Sequence, residues 1–210
     1  MTPVSAPEDL GTLWLHVLQR AIGRVSHDVK DALNGVSVNL EVIRSRAQRA
    51  DTPATALGQF ASAAGQQLDR LTILTEAVLA LARAERAHVD VGLALRRVVT
   101  VCGASSLSTD ATVRVIDEGT LGSATTAVSG DAVRLALAAP LLEAVDCGGR
   151  SGNQAEVTCS LSSHGDAVHV VIASSHARVV MPESVAEAVR AAGVHWTEGD
   201  RALCVIFPHP

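Results

Sequence analysis

Residues 24–43 read Arg-Val-Ser-His-Asp-Val-Lys-Asp-Ala-Leu-Asn-Gly-Val-Ser-Val-Asn-Leu-Glu-Val-Ile, and this stretch decides the fold. Leu18, Ile22, Val25, Val29, Ala32, Val36, Leu40 and Ile43 recur at steps of three and four. That spacing holds one apolar stripe on one face of a helix. The periodicity predicts a single long helix from about Glu8 to Ala50, preceded by a loose leader over residues 1–7. Gly23 and Gly35 fall inside it, each costing about 1 kcal/mol relative to Ala. His27 lies well round from the middle of the stripe. Asp28 is adjacent, Asp31 is one turn on, and Arg24 and Lys30 flank the imidazole on either side.

Asp51-Thr52-Pro53 reads as a turn and restart, with Thr52 as N-cap and Pro53 at the first helical position. A second helix is expected from Pro53 to about His88, with Leu57, Ala61, Ala64, Leu68, Leu71, Thr75, Val78 and Ala82 as its stripe. Two long helices joined by a short turn make an antiparallel hairpin. One hairpin cannot cover both stripes. Pairing two copies into a four-helix bundle can, so a homodimer is expected.

Ser26-His27-Asp28-Val29-Lys30-Asp31-Ala32-Leu33-Asn34-Gly35-Val36 resembles the H-box of two-component sensor histidine kinases. The resemblance implies that His27 is a phospho-acceptor and that Asp28 is the acid that orients it. Asp31 is a rival orienter, because residues four apart share a helix face. Arg24 and Lys30 would support the phosphoryl group. In the family, the position four after the histidine is Thr or Asn where the protein also dephosphorylates its partner. Asp31 stands there, which gives no support to a phosphatase role.

Past Val89-Asp90 the pattern shortens. A helix over Val91–Cys102, a strand over 111–116 and a helix over Gly130–Asp146 follow, the last expected to stop at Cys147-Gly148-Gly149. Strands over 155–161 and 167–173, a helix over 182–192 and a closing strand over 201–207 complete the order. This predicts one sheet covered by one helical layer. The fold class is thus α+β: a hairpin domain over 1–89 forming a dimeric four-helix bundle, then an α/β sandwich over 90–210. That order is similar to the ATP-binding domain of histidine kinases, but the residues that hold nucleotide in the family do not carry over. Pro140-Leu141-Leu142-Glu143-Ala144-Val145 lacks both asparagines of the N-box. Ala173-Ser174-Ser175-His176-Ala177-Arg178-Val179 lacks the adenine-binding aspartate and the glycines. Ala191–Trp196 has no glycine-rich lid.

Composition sets the outer bounds. Hydrophobic residues make up 48% of the 210, yet aromatics only 2%, which suits close-packed helices better than aromatic pockets. A net charge of −5 argues against a general nucleic-acid binder. The four cysteines form no CxxC pair and read as reduced, buried thiols. His16 reads as a surface residue. His164, His169 and His176 lie on or beside one hairpin without the spacing of a metal site. No window has the unbroken apolar length of a membrane span and no basic-then-apolar signal opens the chain, so a soluble cytoplasmic protein is expected.

Taken together, these features resemble the bacterial phosphorelay type of histidine phosphotransferase. A kinase-like hairpin would pass a phosphoryl group between receiver-domain aspartates, beside a vestigial ATP-binding domain. No cofactor is expected on this chain, and any Mg²⁺ would come with the receiver. The rivals are a pseudokinase that binds a receiver or kinase without being phosphorylated, and an active kinase with a divergent ATP site.

Overall fold

A computed structural model of the chain describes residues 9–49, 53, 55–83, 89–103, 111–116, 124–150 and 155–210. The elements run α1 (Leu10–Ala47), α2 (Thr55–Ala82), β1 (Val89–Asp90), α3 (Val91–Cys102), β2 (Ala111–Ile116), β3 (Thr125–Thr126), α4 (Gly130–Arg150), β4 (Ala155–His164), β5 (Ala167–Ser174), α5 (Glu183–Ala191), β6 (His195–Glu198) and β7 (Ala202–Pro208). The expected leader, the expected Asp51-Thr52 cap and residues 84–88, where the second helix is expected to end, lie outside the described residues; α2 itself ends at Ala82, short of the expected His88, and Arg83 is in a bend. The fold is α+β, as the sequence predicts.

A five-stranded sheet in the order β2-β4-β5-β7-β6 forms the base. Only the β2–β4 pair is parallel; the others are antiparallel. Alternation along the strands sends Val157, Cys159 and Leu161, Val168, Val170 and Ile172, and Leu203, Val205 and Phe207 to one buried face. Helix α4 packs across the sheet, α3 lies against β2, and α5 packs on α4. Asp90 caps α3 by accepting from Leu93 N at 2.9 Å, and Gly193 at φ 88° turns the chain out of α5.

Helix α4 differs from the sequence reading in two ways. It does not stop at Cys147-Gly148-Gly149 but continues to Arg150, because glycine inside a helix is costly rather than forbidden. It is also apolar nearly all round: every residue from Ala132 to Leu142 is buried. A helix of that kind needs cover on both sides. The sheet lies below it, and the N-terminal half of α1 lies above, burying Leu13, Trp14, Leu18, Ala21 and Val25. The expected single helical layer therefore has a second layer on top. Full burial of a leucine such as Leu141 or Leu142 stabilises by ~1.5–3 kcal/mol.

Helices α1 and α2 form the antiparallel hairpin that the two stripes predict. Along it Asp28 meets Arg70, Gly35 meets Gln67, and Arg46 lies 4.6 Å over the Phe60 ring. A Cβ at Gly35 would stand at an ordinary 3.5 Å from the Gln67 side chain, so this glycine is not needed for close helix approach. Beyond the part covered by α3 and α4, the hairpin leaves Leu33, Val38, Leu40 and Leu68 exposed.

Candidate functional site

The candidate site is the middle of α1. His27 points away from the core, with its side chain 67% exposed. Its Nδ1 lies 3.0 Å from Asp31 Oδ2, one helical turn on. With Nδ1 so engaged, Nε2 is the ring nitrogen left to face solvent. An exposed imidazole with one nitrogen fixed by a carboxylate can act as a nucleophile or a proton carrier through the other.

Asp28 is placed differently from the sequence expectation. It is turned about 100° round the helix from His27, towards α2. There its side chain is only 4% exposed, and it accepts a 2.6 Å hydrogen bond from Arg70 Nη2. It joins the two helices of the hairpin and does not orient His27. Asp31 is turned only about 40° from His27 and is one turn along, which brings its carboxylate to the ring. The rival orienter, not the family's, is the one that meets the imidazole.

The supporting cations do not gather at His27 either. Arg24 pairs with Asp146 at the end of α4, and Arg20 bonds both Asp146 and, at 2.7 Å, Glu143. Partial burial lowers the pKa of Arg24 from its ordinary value. Lys30 is exposed on the other flank, where with Ser26 it lines a groove of about 360 Å³ between α1 and α2. Ile22, Val25, Val29, Val78 and Leu79 make the groove's apolar wall.

Sequence reasoning did not single out Arg20 or Arg70. The only available signal was their placement on helices facing acids 123 and 42 residues away, which cannot be matched before the packing is known.

The stretches aligned with nucleotide-binding motifs serve packing. Leu141, Leu142, Ala144 and Val145 are buried, and Glu143 is taken up by Arg20. The turn after β5 closes on its own hydrogen bonds: Ser174 Oγ accepts from His176 N and Ala177 N, and Ser175 Oγ accepts from Glu156 N at 2.9 Å.

His164 and His169 stack edge to face at 5.4 Å, and His169 Nδ1 is 3.7 Å from Cys204 Sγ. His176 Nδ1 meets Ser175 Oγ at 2.6 Å. His16 is exposed, as expected. No group of three metal-ligating side chains occurs among the described residues. Cys102 and Cys159 are buried thiols, and burial pushes each pKa up to about 12. Cys204 is half-buried, and Cys147 is exposed, against the expectation of a buried thiol. No helix among the described residues is long and apolar enough to cross a membrane.

No protein-family model and no curated protein matches the chain. Among solved structures it is similar to the catalytic domain of histidine kinase ThkA, at 9% identity and a TM-score of 0.46, over 59% of this chain and 95% of that one. It is similar also to the Acinetobacter baumannii histidine kinase AdeS, at 10% identity and a TM-score of 0.41, over 87% and 97% of the two chains. A third similarity, at 15% identity and a TM-score of 0.44, is to the histidine kinase domain of the Erythrobacter litoralis EL346 blue-light activated histidine kinase, over 82% of this chain and 94% of that one.

Proposed function

We propose that this chain is a cytoplasmic phosphorelay histidine phosphotransferase, carrying a phosphoryl group on His27 between receiver-domain aspartates. One observation carries the proposal: His27 stands 67% exposed on α1 with Nδ1 held by Asp31, so that Nε2 is presented outward. A receiver docks against the hairpin. Nε2 attacks the phosphorus of its aspartyl phosphate, an N–P bond forms, and the acyl P–O bond breaks to release the aspartate carboxylate. Asp31 holds the Nδ1 proton and favours the positive charge that the ring gains. A second receiver reverses the step. The receiver brings the Mg²⁺ that such aspartyl chemistry uses, and this chain contributes no metal ligand to it.

Two features support a carrier over a kinase. The helix aligned with the N-box carries Pro140 and Ala144 where asparagines would hold Mg²⁺ and triphosphate. Both of those residues are also buried. The exposed Leu33, Val38, Leu40 and Leu68 support the homodimer, because pairing two hairpins would remove them from water.

The test is transfer of label. Purified response-regulator receivers, phosphorylated with ³²P-acetyl phosphate and Mg²⁺, are mixed with the wild-type chain and with His27→Ala. Acid-labile label on the wild type alone supports the proposal. Transfer from none of the receivers, or equal labelling of His27→Ala, refutes it. Labelling from γ-³²P-ATP alone would instead establish an active kinase. A function that survives His27→Ala would establish the pseudokinase reading.

A further inference from the structure

Away from His27, a groove of about 540 Å³ runs between α2 and α3. Its charge is opposite to that of the chain. Among the described residues, three guanidiniums, those of Arg83, Arg96 and Arg97, line it with a single carboxylate, Glu76, on a protein whose net charge is −5. Arg83 and Arg96 are exposed, whereas Arg97 is half-buried and has an interaction of its own. Between the cations lie apolar side chains that the fold leaves in water: Ile73 at 57% and Leu79 at 52% on α2, and Leu93 at 39% on α3. Contiguous apolar surface rimmed by charge marks an interaction site more often than scattered apolar residues do.

We propose that this groove docks one helix of a partner protein, acidic and amphipathic, with apolar residues at i, i+3 or i+4, and i+7 and with Asp or Glu on both flanks. The walls are themselves two helices, and a third helix packs naturally into the furrow between two others. From Ile73 to Arg83 the groove runs about 15 Å along α2, enough for between two and three turns. The apolar stripe covers Ile73, Leu79 and Leu93, and the flanking carboxylates pair with Arg83 and Arg96. Guanidinium is the cation best shaped for such pairs, since its planar fork meets a carboxylate with two parallel hydrogen bonds. An acidic partner is also selected against the rest of this chain's surface, which repels it.

The probe is a synthetic fluorescein-labelled peptide of about 14 residues, roughly 20 Å as a helix, with Leu at i, i+3, i+4 and i+7 and Glu at the remaining exposed positions. It is titrated with the full chain and followed by anisotropy. Saturable binding is expected, weakened by salt. A scrambled peptide of the same composition should bind about tenfold more weakly or worse. Arg83→Gln/Arg96→Gln should lose about tenfold, and Arg83→Glu/Arg96→Glu more. Both substitutions are on exposed side chains, and an unchanged circular dichroism spectrum confirms folding. His27→Ala should bind like the wild type, which separates this surface from phosphoryl chemistry. The proposal falls if the ordered and scrambled peptides bind alike, if neither binds, or if the glutamate variant binds as the wild type does. It falls also if that variant turns a sedimenting dimer into a monomer, because the occupant would then be a second copy.

Discussion

Asp28 and Asp31 sit three residues apart, and substituting each with Asn should damage the protein in different ways. Asp28 is buried and makes a 2.6 Å charge-assisted bond to Arg70, whose side chain is 35% exposed. A buried pair broken on one side costs ~3–5 kcal/mol when the remaining charge is shut away from water. Arg70 can be rehydrated in part, so the cost falls towards that of a charged hydrogen bond, ~1.5–3 kcal/mol. For a chain of this size each kcal/mol moves Tm by about 2–4 °C, so Asp28→Asn should melt roughly 3–12 °C below the wild type. Asp31, exposed on the outer face, should lower Tm by no more than ~2 °C when changed to Asn. Transfer of label from a phosphorylated receiver should show the reverse order. Asp31→Asn should slow it by roughly 10- to 100-fold, because the ring loses the group that fixes its tautomer, while Asp28→Asn measured well below its Tm stays within about threefold of the wild type. A double-mutant cycle of Asp28→Asn with Arg70→Gln should give a coupling of ~1–2 kcal/mol. If Asp28→Asn abolishes transfer without lowering Tm, and Asp31→Asn does nothing, the assignment of the two acids is wrong.

Three further outcomes follow. Burial raises Cys102 and Cys159 from 9.0 to about 12, so the folded state holds protons that the unfolded chain gives up. The stability they contribute is fully present below pH 9 and is lost as pH rises towards 12, by up to ~1.4 kcal/mol per pH unit for each thiol. Denaturant titrations at alkaline pH should show that slope, reduced in Cys102→Ala and Cys159→Ala, while DTNB reacts at once only with Cys147. Leu40→Glu with Leu68→Glu should convert a sedimenting dimer to a monomer of unchanged helicity. Asp146→Ala should cost ~1–3 kcal/mol, because Arg20 and Arg24 lose a shared carboxylate and Arg24 is already partly desolvated. Chemical denaturation measures it, and no change in midpoint would contradict the pairing.

Where a local pattern was decisive, the sequence was readable. The bounds of α3 and β2 coincide with the expected 91–102 and 111–116, β5 runs one residue further than expected, and β7 is shifted by one residue at both ends. The two-residue strands β1 and β3 carry no alternation to detect, and β6, with only one partly covered side chain in four, does not look apolar enough for a strand. At the candidate site, the residue types were legible but their directions only in part. The His27–Asp31 contact follows from helical spacing alone. Turning Asp28 inward requires knowing that Arg70 faces it across the hairpin, a register that no stripe of alanines, leucines and valines fixes. The pairs from Arg20 and Arg24 to Glu143 and Asp146 span more than a hundred residues and depend on how α1 lies over α4.

That overlay bears on how the protein can be taken apart. Because α4 is sandwiched between the sheet and the first half of α1, a fragment beginning at residue 90 would be born with a naked roof of leucines and valines, and one ending at 89 would carry Trp14 and Leu18 with nothing to lie on. Neither piece inherits a finished surface. Work with isolated halves would report on sticky remnants, and the bearing of His27 relative to the sheet is set by an arginine clasp rather than by a swivel.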